Sequence, residues 1–230
     1  MKYSKTLLPF LAEFEMNLEE INSAINPELQ RWSIDYVLLG QEYHYAGQYR
    51  KEKKLYKEAE KYFPDEPQII YRQAILAVAQ NDLKNADYYI EKYKSSLKEE
   101  ESLSEAGILF LNANIYSEGN SLDKAEKYYR QALSLQPNAD GLLCNFGMFL
   151  IDKDRNISEG LALVDKALEL SPDNFYYLHC KGWGLYKLGS YQEALIFIQK
   201  SWDLFPEPKY NLEMLSHLEA AKNAVAGQKN

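Results

Sequence analysis

The chain has 230 residues, and its formal net charge is −8 at pH 7. This acidic balance disfavours the basic surface that phosphate backbones require, so we expect no nucleic-acid partner. Two cysteines are too few for a disulfide framework, and the three histidines lack the spacing of metal ligands. No segment reaches the roughly 18 consecutive apolar residues of a membrane-spanning helix, so we expect no membrane partner.

Residues 1–32 are predicted to contain an amphipathic helix. The apolar stretch at 6–12 contains Pro9 and runs into Glu13 and Glu15, which is not typical of a signal peptide. We expect the helix to cap the segment that follows it. The alternative is that it folds into a binding groove or exchanges between subunits. Its apolar residues recur at helical spacing and are Phe10, Leu11, Phe14, Leu18, Ile21 and Ile25.

Five consecutive segments of about 34 residues share one pattern. Small residues recur at the eighth and twentieth positions and proline at the thirty-second, with Glu52 and Lys98 among the exceptions. The fourth segment needs one extra residue before Gly160 for the later positions to match. Small residues let two helices approach closely, so each segment is predicted to form a helical pair. The segments are 33–66, 67–100, 106–139, 140–174 and 175–208. The recurring residues are Gly40, Ala74, Ala113 and Gly182, then Ala86, Ala125, Gly160 and Ala194, then Pro64, Pro137, Pro172 and Pro206.

The pattern is clearest in two segments. The first has Tyr36, Leu39, Gly40, Tyr43, Tyr56, Ala59 and Pro64, and the third has Leu109, Ala113, Tyr116, Ala125, Tyr129, Ala132 and Pro137. This order resembles the tetratricopeptide repeat family, whose signature is W-x2-L-G-x2-Y, then A-x3-F, then Pro. The resemblance covers residues 33–208. It implies an all-α fold, a right-handed superhelical solenoid of five helix-turn-helix repeats with capping helices at both ends.

The C-terminal region, residues 209–230, is predicted to begin with a helix over about 208–225. Leu212, Leu215 and Leu218 give this helix an apolar stripe, which resembles the extra helix that closes tetratricopeptide arrays.

A charged run lies in the second helix of the first repeat. Its cations are interleaved with Glu52, Glu58 and Glu60, so we expect a solvated convex surface. The alternative is a weak electrostatic steering role. The cations are Arg50, Lys51, Lys53, Lys54, Lys57 and Lys61.

The resemblance also implies a binding groove. In this family the first helix of each repeat lines a concave surface, with ligand-facing residues near its second, fifth, sixth, ninth, twelfth and thirteenth positions. Some members bind acidic chaperone tails through a Lys and Asn clamp. Val37 and Gln41 hold corresponding positions here, so that clamp is absent. The implied site is Val37, Gln41, His44, Tyr45, Tyr71, Arg72, Ile75, Phe110, Asn114, Asn145, Met148, Tyr176, His179, Trp183 and Tyr186.

The sequence contains none of the common catalytic motifs for hydrolysis, phosphate binding or dinucleotide binding. We therefore predict a non-enzymatic, cytoplasmic protein without a cofactor. Its predicted function is a protein-interaction scaffold that binds a peptide or partner segment in an apolar and aromatic groove. The alternatives are a peptide-responsive regulatory or sensor module, or an accessory domain of a larger protein.

Overall fold

The computed structural model describes residues 33–97, 103–205 and 212–228. Within these ranges the chain forms eleven α-helices and no strand, so the all-α prediction is confirmed. The predicted N-terminal helix lies outside the described residues. The helices are α1 (Ser33–Tyr45), α2 (Tyr49–Tyr62), α3 (Pro67–Ala79), α4 (Leu83–Ser96), α5 (Glu105–Glu118), α6 (Leu122–Leu135), α7 (Asp140–Asp152), α8 (Ile157–Leu170), α9 (Phe175–Lys187), α10 (Tyr191–Leu204) and α11 (Leu212–Gly227).

The same turn follows α1, α3, α5, α7 and α9. In each case one residue has a positive φ, which is a left-handed conformation that glycine adopts freely and that Asn and Asp tolerate. The N–H of the next residue then donates to a carbonyl in the last turn of the helix, as from Gln48 to Tyr43 at 2.7 Å. This turn reverses the chain, so the next helix can pack on the one before it. The left-handed residues are Gly47, Asn81, Asn120, Asp154 and Gly189.

Small residues lie where paired helices cross. In the α7/α8 pair, a Cβ added to either Gly147 or Gly160 would lie 2.6 Å from the carbonyl oxygen of the other. A Cβ added to Gly182 on α9 would lie 2.5 Å from Cγ1 of Ile198 on α10. These backbones are therefore as close as the chain allows, which explains the recurrence of small side chains in the sequence.

The described residues form two compact units. The first contains α1–α4 and the part of α5 from Asn114 onward, and the second contains α5 up to Ala113 and α6–α11. The first unit packs around Tyr36, Leu55, Tyr56 and other apolar residues. The predicted division into a lead-in, five repeats and a C-terminal region stays a prediction.

Helix α11 packs mainly on α10 in the second unit. The side chains of Leu218 and Ala221 are buried against Ile198, and Leu195 and Trp202 pack around this cluster. The capping role assigned to this helix stays a prediction. Among the described residues, no helix combines the length and apolarity needed to cross a bilayer.

Candidate functional site

In the first unit, the predicted site residue His44 belongs to a buried hydrogen-bonded pair with Glu52. Its Nδ1 atom lies 3.0 Å from Oε2 of Glu52, and the two side chains are 6% and 0% exposed. The Nε2 atom of His44 lies 3.3 Å from the carbonyl oxygen of Glu118 at the end of α5. The imidazole therefore connects α1, α2 and α5 inside the unit.

Arg72 and Tyr71 on α3 both bind the side chain of Glu118. Arg72 donates from Nη1 to Oε2 at 2.5 Å, and the Tyr71 hydroxyl donates to Oε1 at 3.1 Å. Burial alone would lower the pKa of the Arg72 guanidinium, but its interactions with Glu118 and Tyr56 together outweigh that effect and raise the pKa. Because Arg72 is only 2% exposed, its charge serves this internal contact.

The other predicted residues of the first unit differ in burial. Val37 and Ile75 are buried, and Ile75 has no exposed surface. Gln41 and Asn114 are half-buried, whereas Tyr45 is 57% exposed. The predicted site residues of the first unit therefore form a largely buried polar network with a few accessible side chains. They do not form a continuous aromatic surface.

In the second unit, four predicted residues lie on one face of α9. Tyr176, His179, Trp183 and Tyr186 follow one another at steps of three and four residues. Tyr176 is 36% exposed, Trp183 and Tyr186 are half-buried, and His179 is 4% exposed. The face therefore presents aromatic rings to solvent above a buried histidine.

These rings form a stack that continues onto α11. The Trp183 and Tyr186 ring centroids are 4.9 Å apart with an interplanar angle of 7°. Trp183 also stacks on His217 of α11, at 3.6 Å and 2°. Because both neighbours restrict the indole, Trp183 is held in a fixed orientation.

His217 and His179 form a buried pair below this stack. Nε2 of His179 and Nδ1 of His217 lie 2.9 Å apart, a hydrogen-bond distance. Burial lowers the pKa of His179 to about 4. Burial, with help from the His179 and Lys187 charges, lowers that of His217 to about 3. Both imidazoles are therefore neutral at pH 7, as a buried stack requires.

Helix α7, which packs against α9, adds the remaining residues of this face. Met148 and Asn145 are half-buried, and Nδ2 of Asn145 donates to the carbonyl oxygen of Gly141 at 2.7 Å. Phe110 on α5 is half-buried and packs on Tyr129, with ring centroids 6.1 Å apart. We define the aromatic face as Asn145, Met148, Tyr176, Trp183 and Tyr186.

The tetratricopeptide repeat model matches residues 106–139. Residues 106–139 therefore carry a tetratricopeptide repeat. The fold of the chain is similar to that of yeast Tom70, at a TM-score of 0.51 and 21% identity, over 86% of this chain and 40% of that one. Because the identity is low, the likeness to Tom70 shows the fold alone.

Two smaller tetratricopeptide proteins are also similar. YrrB, described as a TPR protein with an unusual peptide-binding site, is 16% identical over 86% of this chain and 93% of its own, at a TM-score of 0.45. TTC0263 of Thermus thermophilus is 16% identical over 83% and 98%, at a TM-score of 0.49. No curated protein matches the chain in a sequence comparison.

Two residues of these networks, Glu118 and His217, were not singled out in the sequence analysis. Glu118 occupies the thirteenth position of the third repeat, so the family's ligand-facing positions could have found it. His217 lies on α11, outside the repeats, where no repeat position applies. Only the structure shows that it stacks on Trp183.

An open surface groove of about 490 Å³ runs along α6 of the third predicted repeat. Arg130 beside it binds Glu126 and Glu159, both at 2.8 Å, and Arg155 binds Asp123 and Glu126 at 2.6 and 3.0 Å. The hydrogen bond from Arg130 lowers the pKa of Glu159. Since both guanidinium groups are already paired, this surface groove is a poor anion site. In the part of the chain that the structure describes, no three His, Cys, Asp or Glu side chains are grouped as metal ligands.

Proposed function

We propose that this chain is a protein-interaction scaffold that holds a peptide or partner segment against the aromatic face of α7 and α9. The observation that carries the proposal is the stack of half-buried Tyr186 and Trp183 on His217, next to the exposed Tyr176 on the same face of α9. Tyrosine and tryptophan are enriched at binding hot spots because they bring large apolar area with few rotatable bonds. Fixing their rings before binding reduces the entropy that association must overcome.

The face also offers one polar contact that suits a peptide. The Asn145 amide donates to Gly141, and among the described residues its Oδ1 atom accepts no hydrogen bond. A peptide N–H would satisfy this oxygen. Met148 beside it is a flexible apolar side chain that adapts to different ligand shapes. The combination favours a largely apolar segment with its backbone aligned along α7 and α9.

The proposal assigns the chain no catalytic step and no cofactor, and it assigns the scaffold to the cytoplasm. The absence of catalytic motifs in the sequence and the two cysteines left as free, buried thiols support this assignment.

The test uses peptides selected from a displayed random library on the wild-type protein. Affinities of the selected peptides are then measured for Tyr176→Ala, Tyr186→Ala and their double variant. We expect the double variant to bind about 10- to 30-fold more weakly, which is the usual effect of removing hot-spot aromatic residues.

The matched control is Ile196→Ala on α10, which also removes an exposed apolar side chain in the same unit. Ile196 is 66% exposed and lies on a second helix, away from the aromatic face. It should leave affinity unchanged. Equal affinity for the double variant and the wild type, or a library that yields no binder, would contradict the proposal.

A further inference from the structure

Helix α11 lies outside the five predicted repeats, yet it contacts both helices of the last one. Its buried side chains form one stripe at helical spacing. Met214, Leu218 and Ala221 lie against α10 and form the apolar interface that a closing helix needs. His217 belongs to the same stripe, but it is a polar side chain, 8% exposed, and it lies against α9. The interface of α11 is therefore apolar toward α10 and polar toward α9.

His217 makes two contacts with α9 that depend on its imidazole. The ring stacks on Trp183, with centroids 3.6 Å apart and an interplanar angle of 2°. Its Nδ1 atom lies 2.9 Å from Nε2 of His179. Burying two imidazoles is unfavourable unless their nitrogen atoms find partners, so an apolar side chain would close the array more favourably than a histidine. The imidazole is better explained by its contact with Trp183.

The indole of Trp183 depends on neighbouring rings for its orientation. Its Nε1–H has no hydrogen-bond acceptor among the described residues, so no polar contact within them fixes the ring. Tyr186, which also stacks on it, lies on the same helix at a centroid distance of 4.9 Å. His217 is the closer of the two rings, and it comes from another helix. Moving α11 away would remove this ring and give the indole access to more rotamers.

We propose that α11 regulates the aromatic face, which binds its partner tightly only while α11 is docked on α9 and α10. In the docked arrangement His217 holds Trp183 in the orientation that the partner contacts, so less entropy is lost on binding. This inference rests on the proposed function and adds its regulation. The coupling is reciprocal, so a bound partner also stabilises the docked helix. His217 is a positioning residue, since it acts through Trp183.

The first experiment measures the affinity of library-selected peptides for variants of the full chain. His217→Leu removes the ring but keeps apolar bulk in the interface, whereas His217→Phe keeps a flat ring for Trp183 and removes both nitrogen atoms. A stacked aromatic pair contributes enough to predict about 3- to 10-fold weaker binding by His217→Leu. His217→Phe should bind within about 2-fold of the wild type, because it restores the stack. The matched control is Met214→Leu, a similar-sized change on the same helix against α10, which should leave affinity unchanged.

The second experiment follows hydrogen–deuterium exchange in α11 with and without the same peptide. We expect the peptide to slow exchange in α11 of the wild type, although the aromatic face includes no residue of α11. In His217→Leu the peptide should no longer slow it, because the link through Trp183 is lost. Slower exchange that persists in His217→Leu would indicate direct contact between the peptide and α11, and it would overturn the coupling.

The outcomes separate this inference from the proposed function. Peptides that bind Tyr176→Ala/Tyr186→Ala weakly but bind His217→Leu as tightly as the wild type would overturn the inference and leave the proposed function intact. Equal losses of affinity in His217→Leu and His217→Phe would do the same, since the stack would then not be the cause. Peptides that are insensitive to the two tyrosines, or a library that yields no binder, would overturn both.

Discussion

The α1/α2 and α7/α8 hairpins accommodate the same repeat positions in different ways. In α7/α8, Gly160 holds the twentieth position and faces Gly147, so backbone lies against backbone. In α1/α2, the twentieth position is Glu52, which is fully buried and paired with His44 at 3.0 Å. Gly40 of that hairpin makes room for the Tyr56 hydroxyl, which would lie 2.0 Å from an added Cβ.

The repeat pattern determines where two helices cross, but it does not determine which side chains fill the space between them. In α7/α8 the two backbones meet without intervening side chains, whereas α1/α2 contains a buried, hydrogen-bonded His44–Glu52 pair beside a large aromatic ring. Removing one partner of a buried polar pair leaves the other without a hydrogen bond, which destabilises the fold. The two hairpins should therefore respond differently to substitution at equivalent positions.

The largest expected effect is that of Gly160→Leu in the α7/α8 hairpin. Its Cβ would lie 2.6 Å from the Gly147 carbonyl oxygen, and a backbone atom cannot move aside as a flexible side chain can. We expect a loss of about 3 kcal/mol or more in the free energy of unfolding, measured by urea denaturation. The control is Gly227→Leu on α11, where an added Cβ meets nothing within 4 Å. Similar losses in the two variants would contradict the close crossing.

The next effect is that of Glu52→Ala. Alanine holds the equivalent position in three of the other four repeats. Family resemblance alone would favour this change, whereas the loss of a buried hydrogen-bond partner of His44 predicts a decrease of about 2 kcal/mol in the free energy of unfolding. Lys61→Ala, exposed on the same helix, should change it by less than about 1 kcal/mol.

A double-mutant cycle sharpens this prediction. His44→Leu/Glu52→Ala should lose at least about 1 kcal/mol less than the sum of the two single variants, because the second change removes the unpaired partner. Strict additivity would show that the pair is not coupled.

The effect that is smallest at pH 7, and that grows only on acidification, is the pH dependence of the histidine pair in the second unit. Unfolded histidine has a pKa of about 6.5, whereas the folded values are about 4 for His179 and about 3 for His217. The unfolded state therefore binds more protons below pH 6.5, and stability falls as the pH is lowered. Between pH 7.5 and 5 the loss is on the order of 2 kcal/mol per histidine.

The measurement is urea denaturation across that pH range, with His179→Gln/His217→Gln as the comparison. The double variant should show a clearly flatter dependence on pH. A wild-type stability that rises on acidification, or a variant with the same slope, would contradict the buried neutral pair. The pH response would then come from groups outside this contact.

The sequence predicts the repeated architecture well because periodic positions carry local information. Gly47 and Gly189 each follow the first helix of a repeat and have a positive φ, as glycine commonly does at a helix C-terminus. The equivalent Asn81, Asn120 and Asp154 were not predicted, because Asn and Asp occur in many other conformations and give a weaker signal than glycine.

The site was less predictable because repeat positions specify a helix face and not its burial. Arg72 was the one cation among the predicted groove residues, yet it is buried on Glu118, 46 residues further along the chain. Such pairs depend on tertiary packing that no local pattern encodes. The aromatic residues of α9 were easier to identify because all of them share one helix.

Hydrogen–deuterium exchange with and without a library-selected peptide tests the central claim most directly, namely that partners bind the aromatic face. We expect slower exchange in α7 and α9, at Asn145, Met148, Trp183 and Tyr186, with α6, α8 and α10 unchanged. Protection confined to α6, α8 and α10, or protection confined to the first unit, would contradict the claim.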